Sequence, residues 1–442
     1  MRNGWLDQNR MSARQIISPI TRSHPAHFVL APSGPAYPQT PTTPSLPIRP
    51  QPPPPAAQTA TATMDETLGA ALSYLPSPAV SSSAYLSSPF PAATPAGEEE
   101  DRVGRLPDAI LRNIVSRLPT KDAARTAVLS SRWRHLWTSI PLVLHDGAGG
   151  LAPDAAAAAL ASHPGPVRSA RIAASQDPEA VASVFASLAA RGVEDLLVVV
   201  NASWPVEWRV PSDVLACAAL GRLWIGLCQF PDTSGVAPAL LSLQELGIVH
   251  SSVPDRDLHA VIPRCPVLET LAFALTQDYP RYVHIWSESL RCVVIWKSML
   301  REVHLDDAPN VDRLLVEPIA DAATHIKIIK APNLKILGYF DVGLHQLKIG
   351  NTVIKVPFVY CVFHLTSYAE MDDIHCVILF LSLKIDTKVK PSAMVRTLRT
   401  LALKVQFGVE DQVKLVPTLL KCFPCLEALY IMVHNPTLII LL

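Results

Sequence analysis

A six-residue phrase, apolar-x-x-apolar-x-apolar, returns along this chain at nearly even intervals and restricts the folds open to it. It reads VRSARI from Val167, VEDLLV from Val193, LGRLWI from Leu220 and LQELGI from Leu243. It continues as LETLAF from Leu268, LRCVVI from Leu290, VDRLLV from Val311 and LKILGY from Leu334, with late copies LRTLAL from Leu398 and LEALYI from Leu426. The first eight starts are 21 to 27 residues apart. A unit of that size cannot bury its own apolar face. The expectation is therefore a curved solenoid with strands inside, each unit covering its neighbours.

The material between these strands agrees. Val181 to Leu188 reads as a helix stopped at Gly192, and Asp257 to Ile262 and Gln412 to Leu420 read as helices too. The last two run into similar turns, PRCPVLETL (Pro263 to Leu271) and KCFPCLEAL (Lys421 to Leu429). A second strand series, LREVHL from Leu300, ATHIKI from Ala323 and LHQLKI from Leu344, lies between copies of the first. There strands are expected to replace the convex helices. Residues 350–391 are apolar and β-branched, yet the phrase cannot be phased through them: an insertion, a decayed repeat and a faulty gene model all remain open. The chain stops just after a repeat strand with no polar capping unit, so its C-terminal end is expected to be incomplete.

Upstream, DRVGRLPDAILRNIVSRLPTKDAARTAVLSSRWRHLWTSIPLVLH (Asp101 to His145) reads as three short helical pieces. Ile110, Leu111, Ile114 and Leu118 fall at helical spacing after Leu106-Pro107; Thr120 is placed to cap a second helix, and Ser130 or Ser131 starts a third. Such short helices have too little mass to cover all their apolar groups. Leu136, Trp137 and Ile140, nearest the solenoid, are expected to pack internally, and Leu106 to Leu118 and Val128 to Trp133 to face a partner.

Composition sets the outer limits. Lys and Arg total 38, as do Asp and Glu, so the net charge of zero leaves no electrostatic footprint for nucleic acid or an anionic membrane. No apolar run reaches the roughly 18–20 residues of a membrane span, and no secretory signal opens the chain. Eight scattered cysteines suit a reducing compartment better than a disulfide framework. Residues 1–100 are rich in Pro, Ser and Ala, including the run Pro52 to Pro55, and are expected to be a disordered leader. The scarcity of acidic residues before Met64 fits a transit-like segment, a second start or an over-extended gene model equally well.

Catalytic patterns are missing. There is no Walker, dinucleotide-loop or HExxH motif. Cys422-x-x-Cys425 with His434 lacks a fourth zinc ligand and reads as two repeat-turn cysteines. His375-Cys376 forms no recognisable triad, and Asp306-Asp307 and Asp372-Asp373 read as solvated loop pairs. No catalytic, cofactor or metal residue is expected, and no cofactor.

The 21–27-residue spacing and the L-x-x-L-x-L phrase are those of leucine-rich repeats. The stretch 101–146 resembles an F-box through Leu106-Pro107-Asp108, Ile110-Leu111-x-x-Ile114, Leu118-Pro119-x-Lys121-Asp122, Ala124-Arg125-Thr126, Val128-Leu129-Ser130 and Arg132-Trp133-Arg134-x-Leu136-Trp137. With repeats over 160–442, the whole resembles the plant F-box/leucine-rich-repeat group. Members of that group often carry a further C-terminal domain after a phrase like CFPCLEALYI, expected to be lacking here.

The fold class implied is α/β: a three-helix F-box, then an irregular leucine-rich-repeat solenoid. The resemblance implies a non-catalytic substrate receptor of an SCF-type ubiquitin ligase in nucleus or cytoplasm. It would dock a Skp-type adaptor, and through it a cullin, by Leu106, Pro107, Ile110, Leu111, Ile114, Leu118, Val128, Leu129 and Trp133. The repeats would bind an unknown protein substrate, with Glu194-Asp195, Gly221-Arg222 and Gln244-Glu245 as candidate contact positions. A repeat scaffold acting outside any ligase is the alternative.

Overall fold

The computed structural model describes residues 66–77, 103–118, 120–145, 147, 149–235, 240–276, 279–318, 323–349, 352–354 and 394–433. The chain divides into two compact units, Met1–Pro76 and Ser77–Leu442. The expectation of a disordered leader over 1–100 falls mostly outside the described residues, but 66–74 within it are helical.

The second unit opens with three short helices, α1 (Asp108–Val115), α2 (Thr120–Thr126) and α3 (Ser131–Ser139). Asp108 in the first turn of α1 and Arg112 in its last complement the helix dipole. Ser130, not Ser131, caps α3, its hydroxyl accepting the Trp133 N–H at 3.5 Å. Thr120 does not act as the expected cap: it lies inside α2, and its hydroxyl donates to the Val143 carbonyl, tying the helices to the first strand.

That strand, β1 (Leu142–Leu144), pairs in parallel with β2 (Val167–Ala173), across the intervening helix α4 (Pro153–Ser162). The sheet thus starts inside the stretch that reads as F-box. Three residues are too few to carry the repeat phrase. The alanine run of α4, with proline in its first turn, is by contrast a strong helix signal that the repeat count passes over.

From here the repeats run through β2, α5 (Pro178–Arg191), β3 (Val193–Val200), β4 (Arg222–Gly226), β5 (Glu245–Val249), α6 (Asp255–Val261) and β6 (Thr270–Ala274). Strands then alternate between two sheets: β7 (Tyr282–Trp286), β8 (Cys292–Ser298), β9 (Glu302–Asp307), β10 (Arg313–Pro318), β11 (His325–Ile328), β12 (Ile336–Asp341), β13 (Gln346–Ile349) and β14 (Thr352–Ile354). β15 (Thr400–Val405), α7 (Glu410–Lys421) and β16 (Ala428–Val433) complete the described chain. Among the described residues the main sheet has eleven strands in the order β1-β2-β3-β4-β5-β6-β8-β10-β12-β15-β16, every neighbour parallel. The second series forms a five-stranded sheet, β14-β13-β11-β9-β7, taking the place of helices on the far side of the core.

One apolar core runs the length of both sheets, from Leu142 to Phe423. Most rungs supply three phrase positions, as Leu268, Leu271 and Phe273 do, all fully buried; the last described one does not, with Leu429 and Ile431 39% and 41% exposed. Burying each such side chain stabilises by about 1.5–3 kcal/mol relative to exposure. Two rungs depart from the phase of the phrase. In β3 the core positions are Leu197 and Val199, opposite Leu223 and Ile225, because a register shift between Val167 and Ser169 adds a residue. In β12 a second irregularity between Leu337 and Phe340 puts Phe340, not Tyr339, in the core, with Tyr339 at φ 59°. Periodicity alone cannot see a bulge.

β12 pairs directly with β15, so the sheet passes from one to the other without a strand from the unphased region. Most of 350–391, with Asp372-Asp373 and His375-Cys376, lies outside the described residues, as does His434.

His345, just before β13, is fully buried, its Nδ1 accepting the Asp341 N–H at 3.1 Å. Burial first, then the charge of Lys404, pushes its pKa from 6.5 down to about 3. The unfolded chain therefore takes up a proton that the folded chain refuses. Stability from this site is complete above pH 6.5 and declines as pH falls from 6.5 toward 3, at about 1.4 kcal/mol per pH unit. Urea melts at pH 7, 6 and 5 should show a shallower acid loss for His345→Gln than for wild type; parallel losses would refute the assignment.

Candidate functional site: an apolar stripe on the helical module

Helix α1 carries two apolar stripes. Leu111 and Val115 point inward and are fully buried, Val115 packing in a small core with Ala123 and Ile140 against Leu118, Trp133 and Trp137. Ile110 and Ile114, four residues apart and so on one face, point outward at 48% and 41% exposure. Across the turn after α2, Val128 and Leu129 are 86% and 59% exposed. Of the nine residues picked from the sequence, Pro107, Ile110, Ile114, Val128 and Leu129 are thus exposed and Leu106, Leu118 and Trp133 half-buried. Leu111 is the exception: its side chain fills the interior and cannot meet a partner in this conformation. Helical spacing groups Leu111 with its neighbours, but only the packing of α3 against α1 decides which stripe is inside.

Arg132 of α3 holds the entrance to α1. Its Nε and Nη2 donate to Asp108 Oδ1 at 2.8 and 2.6 Å, Nη2 reaches the Leu106 carbonyl at 2.6 Å, and Nη1 donates to the Gly104 carbonyl. This fork holds the Asp108 carboxyl below its ordinary range, the hydrogen bond from Arg132 being the main cause. It also fixes Leu106-Pro107 beside the exposed stripe.

The module is locked onto the repeats. Leu136 and Ile140 are buried, and Trp137 packs against both cores, as its place near the junction suggests. The His163 ring meets Trp137 edge-on at 4.6 Å, bonds the Trp137 carbonyl through Nε2 at 3.0 Å and accepts the Gly165 N–H on Nδ1 at 3.1 Å. Arg191 donates to the carbonyls of Leu160, His163 and Gly165. A Cβ on Gly165 would lie 2.8 Å from the Ile140 carbonyl oxygen, so only glycine permits this approach.

On the repeats, the positions picked for target contact are largely engaged with one another. Asp195 accepts from Arg222 Nε and Nη2 at 3.0 and 2.8 Å and lies 4.0 Å from Arg168. Glu245 is buried, accepts the Trp224 indole N–H at 2.5 Å, and has its pKa raised by that burial against the charge of Arg222. Glu245 is therefore a structural residue rather than a contact position. Glu194 stays exposed.

Cys422 is buried and its pKa raised to about 11 by that burial, and Cys217, Cys265 and Cys292 are raised likewise. Asp306-Asp307 is not a loop pair: both lie in β9, Asp306 on His284 at 3.0 Å and Asp307 on Lys330 at 2.7 Å. Among the described residues no helix is long and apolar enough to cross a membrane.

Comparison with known proteins agrees with this architecture. The F-box domain profile matches residues 104–145. A repeat profile described as "FBD-associated F-box protein At5g56370, LRR repeats" matches residues 181–361 and 363–431, more than half of the chain. Three proteins of Arabidopsis thaliana illustrate the likeness. F-box protein At2g39415 is 51% identical over 59 residues, 13% of this chain and 50% of its own. F-box/FBD/LRR-repeat protein At1g13570 is 27% identical over 295 residues, 60% of this chain and 68% of its own. F-box/LRR-repeat protein At3g03360 is 28% identical over 213 residues, 44% of this chain and 43% of its own. The chain thus spans between about two fifths and two thirds of their lengths. With an F-box packed on a parallel-strand repeat ladder, and profile matches to both parts, the chain belongs to the plant F-box/FBD/LRR-repeat protein family.

Proposed function

We propose that this chain is the substrate-receptor subunit of an SCF-type cullin-RING ubiquitin ligase. Its F-box docks a Skp-type adaptor, which links it to a cullin, and its repeats hold the target protein; its own part in ubiquitin transfer is non-catalytic. The observation that carries this reading is the outward pair Ile110 and Ile114 on α1, together with the exposed Val128 and Leu129 after α2. A module this small has already spent Leu111 and Val115 on its interior, and the second stripe lies open. Apolar side chains presented together on a rigid helix are what the buried centre of a protein interface uses.

The test is co-expression of the full chain with a plant Skp-type adaptor, followed by size-exclusion chromatography. A stoichiometric complex is the expected result. Separate elution at micromolar concentrations would favour a repeat scaffold that works outside any ligase.

A further inference from the structure

The outward face of the second sheet gathers groups of another kind. The phrase position between the second and third apolar residues is histidine in two successive strands: His284 in PRYVHI and His304 in LREVHL. β7 and β9 pair in parallel with His284 directly opposite His304, so residues 20 apart in sequence become neighbours, ring centroids 4.2 Å apart. Val283, Ile285, Val303 and Leu305 alternate with them and fill the core, which turns both imidazoles outward, half-buried. Asp306, two residues on from His304 and so on the same face, places its carboxylate 3.0 Å from His284 Nδ1. One ligand atom from each of His284, His304 and Asp306 lies within 4.8 Å of the others.

We propose that His284, His304 and Asp306 form a binding site for a zinc-class transition-metal dication that clips the edge strand β7 to β9. Two imidazoles and one carboxylate are a donor set suited to zinc, while calcium and magnesium prefer oxygen ligands alone. Around a tetrahedral ion with bonds of about 2.0–2.1 Å the donors stand about 3.3 Å apart, so the present spread, within 4.8 Å, has to tighten as the ion binds. Glu302 Oε2 lies 2.9 Å from His304 Nε2 and orients that ring, the outer support that imidazole ligands use. His259 of α6 accepts the His284 backbone N–H at 3.3 Å, and the rings of His259 and Trp286 each lie 5.5 Å from that of His284, Trp286 stacked on it.

Charge is consistent with a dication. Asp306 and Glu302 face the site with Lys327, which pairs opposite His304 in the next strand, as the nearby cation. The position in the fold gives the ion a task. Among the described residues β7 is the edge of the five-stranded sheet, bonded on one side only, at the place where strands take over from helix α6.

The experiment is titration of Zn²⁺ into the chelator-stripped full chain by calorimetry, with a parallel thermal melt. Wild type should bind one Zn²⁺ that is absent from the His284→Asn/His304→Asn double variant, and should melt higher with Zn²⁺ than without. Glu302→Gln should weaken binding about tenfold by loosening the His304 ring, and Mg²⁺ should leave the melt unmoved. The double variant must keep the metal-free melting temperature of wild type; if it does not, Asp306→Asn, which spares the rings, takes its place and must weaken binding at least tenfold. No stoichiometric binding by wild type, or equal binding by the variants, overturns the site.

Discussion

Exchanging Ile110 and Ile114 together for aspartate should abolish capture of a Skp-type adaptor while leaving the chain as stable as wild type. Both residues are already nearly half exposed, so charge there costs the monomer far less than at the buried Leu111. In a docked complex the same two positions would sit at the desolvated centre, where losing an anchor costs about 2 kcal/mol or more. Two such losses weaken binding by about a thousandfold, before the penalty of burying carboxylates is counted. Leu111→Ala supplies the contrast: its cavity should cost about 2–5 kcal/mol of stability while leaving the outward stripe in place. Binding and chemical denaturation measured on both variants separate the two stripes. Adaptor binding by the double aspartate variant within threefold of wild type would sink the docking assignment.

The second large effect belongs to the repeats. A Cβ on Gly247 would lie 2.3 Å from Trp224 Cδ2 and Cε3 and 2.5 Å from Cε2, closer than real contacts come. The ring has no room to retreat, since Trp224 is buried with its indole N–H on Glu245. Gly247→Ala should therefore displace the ring and leave the buried Glu245 without that donor. Overpacking of about 1–3 kcal/mol and a lost buried hydrogen bond of about 1–3 kcal/mol put the expected loss at about 2–6 kcal/mol. Adding Trp224→Leu should make the double variant more stable than Gly247→Ala alone, because the smaller side chain vacates the contested space. Strict additivity of the two changes in urea melts would show that the glycine and the indole do not compete.

Both effects rest on features that differ in how openly the sequence displays them. The rung positions Leu220, Leu223 and Ile225 or Leu398, Leu401 and Leu403 announce themselves, because parallel stacking demands the same side chain at the same phase in each unit. The replacement of helices by a second sheet is legible in LREVHL, ATHIKI and LHQLKI, though its first strand is disguised by Pro280 in the leading position. The bulges in β3 and β12 are not legible, since a single added residue leaves the local pattern intact while moving every later side chain.

The same distinction runs through the sites. A helical stripe tells that Ile110, Leu111 and Ile114 are apolar but not which of them α3 will cover. His284 and His304 carry no metal-like spacing at all; they meet only because one repeat separates them and the strands stack in register. Histidine at a shared repeat phase is the signal that would have found them.

The closure of His163, Gly165 and Arg191 over the end of α3 has a mechanical meaning. A hinge at that point would let a cargo swing; a bonded, glycine-tight joint makes the helices and the ladder one lever. Neighbouring strands stand about 4.8 Å apart, so the main sheet reaches about 50 Å from its first strand to its eleventh. In the proposed role, the rung on which a target settled would set its distance from whatever holds the F-box, and repeat number would become a ruler.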